Sequence, residues 1–169
     1  MSKPFVAVLM GSDSDLGTMQ ATLDTLDKLG VAWEVKITSA HRTPQATHDY
    51  VHDAEKRGCA VFIAAAGLAA HLAGTVAGLT TRPVIGVPID VGPLQGQDSL
   101  LSTVMMPGGI PVACVAIGKA GAKNAGYLAA QILGLVDPSI ADKVVSERQE
   151  NAAAVQAKDA ELQARLKNA

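Results

Sequence analysis

Phe5-Val6-Ala7-Val8-Leu9-Met10-Gly11-Ser12-Asp13-Ser14-Asp15 sets six apolar residues in a row against a small polar loop. A strand that is apolar at every position, not at alternate ones, is covered on both faces. Behind the loop, Leu16, Met19, Leu23 and Leu26 recur at helical spacing, and Gly30 supplies a stop. A two-sided strand, a loop and an amphipathic helix make the first unit of a parallel α/β sheet.

The pattern recurs along the chain. Trp33–Thr38, Cys59–Ala65, Val84–Pro88 and Val112–Ile117 read as further strands. Thr43-Pro44 starts a second helix, as an N-cap followed by proline at the first helical position, and Gly58 ends it. An Ala-rich helix is expected over Ala69–Leu79, a short one over Asp98–Met105 and a longer one from Ala120 to Leu133, with Gly134 after it. This order predicts a three-layer α/β/α domain around a central parallel sheet. From Asp137-Pro138 onward the chain turns polar, charged and Ala-rich. That stretch predicts a C-terminal helix packing outside the domain or on a neighbouring subunit. We therefore expect one domain over 1–169, with an α/β core to 135 and a helical extension over 136–169.

Composition narrows the function. The 169 residues suit a single domain with a real core. Aromatics are only 3%, so Ala, Val, Leu and Ile must fill that core. A mean hydropathy of +0.23 is high for a lone domain of this size and points to apolar surface buried in a homo-oligomer. Fourteen Lys and Arg against 16 Asp and Glu leave no basic patch, which argues against nucleic acid. Cys59 and Cys114 lie in strand-like runs and read as buried, reduced thiols. The longest apolar stretch, Cys59 to Ala70, is broken by Gly67 and falls short of the ~20 residues of a membrane span. No targeting segment is evident, and a cytoplasmic location is expected.

In an open parallel sheet, ligands bind beyond the carboxyl ends of the strands. After the first strand, Ser12 and Ser14 offer hydroxyls ahead of a helix N-terminus, a combination that suits a phosphate. Asp15 suits ribose hydroxyls. The plainer reading, that the serines merely cap the helix, carries equal weight on this loop alone. Neither a Walker loop nor a GxGxxG fingerprint is present, so ATP and NAD have no support. After the second strand, Ser39-Ala40-His41-Arg42-Thr43-Pro44 pairs a fork of phosphate donors with a group that moves protons near neutral pH. After the third come Gly67 and His71, the latter free to face the same edge. His48 and His52 lie one helical turn apart. With no third ligand and no Glu between them in motif order, they read as a solvated helix face. The segment from Asp90 to Pro111, rich in Gly and Pro, reads as a functional loop or lid.

Together, Gly11-Ser12-Asp13-Ser14-Asp15, Ser39-Ala40-His41-Arg42-Thr43-Pro44, Ala69-Ala70-His71-Leu72, Gly86-Val87-Pro88, Asp98-Ser99-Leu100 with Met106-Pro107, and Ala116-Ile117-Gly118 carry a resemblance. Over about Val6 to Leu135 the chain resembles the N5-carboxyaminoimidazole ribonucleotide mutase family of de novo purine synthesis. The resemblance implies a flavodoxin-like domain, a homo-octamer, and no metal or organic cofactor. It implies that Ser12, Asp15 and Arg42 hold the ribose phosphate of a small nucleotide and that His41 is the general acid/base. His71 and the loop before it would line the carboxylate and CO2 pocket, and residues 92–111 would help close the site, in part from a neighbouring subunit. Three positions depart from the family pattern: Leu68 where glycine is usual, Ala73 for a proline, and Met105 for a glutamine. Leu68 and Ala73 are expected to flank the CO2 pocket.

Two rivals remain at this stage. A carboxylase of the same superfamily, adding CO2 directly to aminoimidazole ribonucleotide, typically has Lys where Arg42 stands. A flavodoxin-like binding module without chemistry would not need His41.

Overall fold

A computed structural model describes residues 4–167. Five parallel strands, β1 (Phe5–Met10), β2 (Ala32–Ile37), β3 (Cys59–Ala66), β4 (Val84–Pro88) and β5 (Ala113–Cys114), form one sheet in the order β2-β1-β3-β4-β5. Six α-helices accompany them: α1 (Leu16–Leu29), α2 (Pro44–Arg57), α3 (Leu72–Leu79), α4 (Gln97–Val104), α5 (Gly118–Gly134) and α6 (Pro138–Lys167).

The continuous apolar strands have the expected cause. Along β1, Val6, Val8 and Met10 pack with α1 and α5, while Phe5, Ala7 and Leu9 pack with α2 and α3. β3 divides the same way, with Val61 and Ile63 on one side and Phe62 and Ala64 on the other. The chain is thus the three-layer, flavodoxin-like arrangement that the sequence predicts. Its strand order reverses at β1, which opens a crevice beyond the ends of β1 and β3.

Some boundaries and burials differ, each for a physical reason. β2 is the sheet edge, and its Val35 and Ile37 remain exposed: they share the face of Val8 and Met10, where α1 covers only part of this outermost strand. β5 shrinks to two residues at the other edge, held by its register to Ile85 and Gly86, because Pro111 precedes it and α5 begins soon after. Cys114 on this strand is only partly buried, whereas Cys59 is buried and its thiol is pushed up to about 11 by desolvation. Both are free thiols. α3 starts three residues late because Ala69 and His71 close a turn instead.

Gly134 is the last residue of α5, not a stop beyond it. There its missing side chain lets Ala141 of α6 approach, since a Cβ would meet Ala141 at 3.2 Å. α6 buries only Ile140, Val144 and Glu147 against the domain. Glu147 anchors this docking by pairing with the Lys28 ammonium of α1 and accepting a 2.7 Å bond from the Tyr127 hydroxyl of α5. Residues 148–167 are exposed along the whole helix. Among the described residues, no helix is long and apolar enough to cross a membrane.

Candidate active site

The ends of β1, β2 and β3 feed three loops into one cleft of about 440 Å³. All eight residues singled out in the sequence line it: Ser12, Ser14, Asp15, Ser39, His41, Arg42, Gly67 and His71.

The first loop is more tightly self-bonded than its sequence suggests. A 3-10 turn, Asp13–Asp15, stands between Ser12 and α1, so the loop does not run straight into an α-helix. Ser12 caps that turn: its Oγ accepts from the Ser14 N–H at 3.3 Å, while its own N–H donates to Asp15 Oδ2 at 3.2 Å. This is a reciprocal capping box. The Ser14 hydroxyl donates to Ser12 Oγ at 2.9 Å. The capping role and a ligand role therefore share the same atoms. Asp15 is 5% exposed, and burial holds its carboxyl above the usual carboxylate range, against the opposing pull of the Ser12 N–H.

The second loop is a closed turn that ejects its tip. The Thr43 N–H donates to the Ser39 carbonyl at 2.9 Å, and Thr43 Oγ1 accepts from the Ser39 N–H at 2.9 Å. The Arg42 N–H donates to Ser39 Oγ at 3.1 Å. Below the turn, the hydroxyls of Thr38 and Thr47 meet at 2.7 Å in the interior. Zipping Ser39 to Thr43 leaves Ala40, His41 and Arg42 at the mouth of the cleft. It also uses up the Thr43 side chain, so that Thr43 holds the N-cap position ahead of Pro44, as the sequence predicts, but makes no side-chain capping bond to α2. Sequence reasoning passed over this threonine ladder, although three threonines at positions 38, 43 and 47 around a helix start are a visible signal.

His71 sits at the N-cap position of α3 and turns its ring toward His41. His41 Nε2 and His71 Nδ1 lie 2.8 Å apart, with the rings edge-on at 79°. One proton occupies that axis, donated by one ring and accepted by the other. Among the described residues, the Arg42 guanidinium has no ion-pair or hydrogen-bond partner and is exposed beside this pair. The arrangement offers an anion a fork of donors, and it offers a reacting atom a group able to give and take a proton.

The wall of the cleft is built by two glycines that each receive a neighbour's side chain. A Cβ on Gly67 would lie 2.2 Å from Val91 Cγ2, and one on Gly92 would lie 2.6 Å from Leu68 Cδ2. The loop after β3 and the loop after β4 thus interlock. Val91 lines the cleft and escaped sequence reasoning, because a lone valine after a strand carries no chemical signal. Leu68 has φ +56°, a left-handed conformation that favours glycine, which explains why glycine is usual in the family pattern there. Ala73 does not flank the cleft: it is buried in the opposite core cluster, where Gly86 leaves room for it. Met105 is 78% exposed and lies outside the cleft. Of residues 92–111, none lines the cleft within the single chain.

The chain is similar to known proteins in both sequence and fold. Residues 5–154 match the family described as AIR carboxylase. The chain is 55% identical to N5-carboxyaminoimidazole ribonucleotide mutase of Bacillus subtilis (strain 168), over 88% of this chain and 91% of that one. It is 50% identical to the mutase of Mycobacterium tuberculosis (strain ATCC 25618 / H37Rv), over 95% and 91%. Among solved structures, Treponema denticola PurE superposes with a TM-score of 0.86 at 33% identity, over 95% of this chain and 99% of that one.

Proposed function

The chain belongs to the AIR carboxylase family, and from that premise we propose that it is the enzyme of purine synthesis that converts N5-carboxyaminoimidazole ribonucleotide to 4-carboxy-5-aminoimidazole ribonucleotide. The observation that carries the reading is the 2.8 Å contact between His41 and His71, in the same cleft as the Arg42 guanidinium.

The substrate is a carbamate. Ser12, Ser14, Ser39 and Arg42 hold its phosphate, and Asp15 accepts from the ribose hydroxyls. His41 protonates N5 as the N–C bond breaks, so the bonding electrons stay on nitrogen and CO2 departs. C4 of the aminoimidazole then attacks the retained CO2, forming the new C–C bond. His41, now neutral, takes the C4 proton and restores the aromatic ring. The proton given at N5 is recovered from C4, so the sequence balances without a cofactor. His71 holds the His41 ring on the shared proton axis between the two transfers. Gly67 and the interlocked Leu68–Val91 wall limit escape of CO2 and entry of water.

The mutase relatives at 50–55% identity favour this reaction over direct carboxylation, and so does Arg42. The exposed Val35, Ile37, Leu101, Val104, Leu135 and Val136 support a homo-oligomer, which we take to be an octamer. Light scattering is then expected to give about eight times the 17.3 kDa chain mass. Two free thiols suit a reducing cytoplasm.

The deciding assay supplies each nucleotide separately. Turnover of N5-carboxyaminoimidazole ribonucleotide without added bicarbonate is expected. Turnover of aminoimidazole ribonucleotide with bicarbonate, and none of the carbamate, would assign the carboxylase reaction instead.

A further inference from the structure

Outside the cleft, α2 turns a second histidine pair to solvent. His48 and His52 are 46% and 42% exposed, one helical turn apart. Their rings meet edge-on at 75°, and this brings their Nε2 atoms to 3.2 Å. His48 Nδ1 lies within hydrogen-bond distance of Asp49 Oδ1, at 3.2 Å, and Glu55 Oε2 lies farther from His52 Nδ1, at 3.8 Å.

This arrangement has a chemical consequence. An Nδ1–H directed at a carboxylate leaves Nε2 as the bare lone pair, which is how metal-ligating histidines are oriented. The Nε2–Nε2 contact is a hydrogen bond in which one ring donates to the other, and a cation that takes the place of that shared proton is bound by both Nε2 lone pairs. The span is right for chelation. Two nitrogens 3.2 Å apart and each roughly 2.05 Å from an ion subtend about 100° at it, close to a tetrahedral angle. Asp49, Asp53 and Lys56 rim the same shallow hollow, two carboxylates against one ammonium.

We propose that His48 and His52 form a surface site for a borderline divalent transition-metal ion, Zn²⁺, Ni²⁺ or Cu²⁺, bound through both Nε2 atoms. Imidazole suits these ions. Among the described residues, no group of three or more ligating side chains converges on one point. Water therefore fills the remaining positions, and binding is reversible. The ion clips one turn of α2 and takes no part in the chemistry at His41.

Titrating the full-length protein with NiCl2 by calorimetry, and with CuCl2 by electron paramagnetic resonance, tests the site. The wild type is expected to bind one ion per chain that is lost, or weakened at least tenfold, in both His48→Asn and His52→Asn. The Cu²⁺ spectrum is expected to show two imidazole nitrogens in the wild type and one in His52→Asn. Asp49→Asn, which releases the His48 ring, is expected to weaken binding about tenfold. All three variants keep wild-type turnover and melting, because none lines the cleft. The proposal fails if both histidine variants bind Ni²⁺ as tightly as the wild type, which would locate the ion at another site such as the His41–His71 pair. It fails equally if the wild type binds no ion at all.

Discussion

Replacing His41 with Asn separates chemistry from folding, and the structure sets both magnitudes. The His41 side chain is exposed, and its ring nitrogen bonds to His71. The turn that carries it is closed by Ser39 and Thr43, not by the imidazole. Stability should therefore stay within about 0.5 kcal/mol of wild type, a melting shift of no more than roughly 2 °C for a chain of this size. Loss of a positioned general acid/base costs on the order of 10²–10⁴ in rate, or roughly 3–5.5 kcal/mol at 1.36 kcal/mol per decade. The nucleotide is gripped by other residues, so the loss should fall on kcat and leave KM nearly unchanged. The assay follows carboxyaminoimidazole ribonucleotide formation from the carbamate by absorbance, beside a thermal melt. His71→Asn should cost less than His41→Asn, and the double variant little more than His41→Asn alone, because residues acting as a unit are not additive. A His41→Asn enzyme within tenfold of wild-type kcat, or one impaired through KM alone, would refute the proton-transfer role.

Other substitutions probe the frame of the site. Gly121→Ala should be severely destabilising, by about 3 kcal/mol or more in chemical denaturation, because its Cβ would lie 1.5 Å from the Ala116 carbonyl oxygen and backbone must move. For Glu147, the Lys28 ammonium and then the Tyr127 hydroxyl hold the carboxyl below its usual range. Its stabilisation is present above the unfolded value near 4.3 and fades as pH falls through the lower folded value. Glu147→Gln should therefore lower stability by about 1 kcal/mol at pH 7 and by less at pH 3; an equal loss at both pH values would argue against the ion pair. Asp15 has the opposite sign. Burial raises its pKa, so the charged form opposes folding once pH exceeds the unfolded value. Asp15→Asn should melt no lower than wild type at pH 7, with any gain vanishing in acid, while KM for the nucleotide rises. A clear drop in melting temperature at neutral pH would contradict this.

The strands were legible because each central one buries both faces, and a continuous apolar run of that length fits little besides two-sided burial. The cleft was legible for a related reason: once strand order is parallel, whatever follows β1, β2 and β3 must meet, and those loops hold Ser12, His41 and His71. Edge effects were not legible. Nothing in Trp33–Thr38 or Val112–Ile117 says that these strands lie at the sheet's borders, where covering helices run out and pairing shortens. Dual use of atoms was also hidden. Thr43 holds the N-cap position, but its hydroxyl closes the His41 turn instead of bonding into α2. Ala73 misled because sequence adjacency to His71 does not determine direction: one residue into α3, the helix already points toward the sheet.

The Gly67–Val91 and Gly92–Leu68 interlock also constrains the order in which the site's wall can change. Enlarging residue 67 first drives a methyl into Val91, whereas trimming Val91 first opens the space that a later Gly67→Ala can fill. The two changes are thus epistatic, harmful in one order and tolerable in the other. At the second contact the exchange is closed in one direction, because Gly92 has φ +78° and would be strained by any side chain even after Leu68 shrinks. The wall of this cleft can therefore drift through position 91 and hardly at all through position 92.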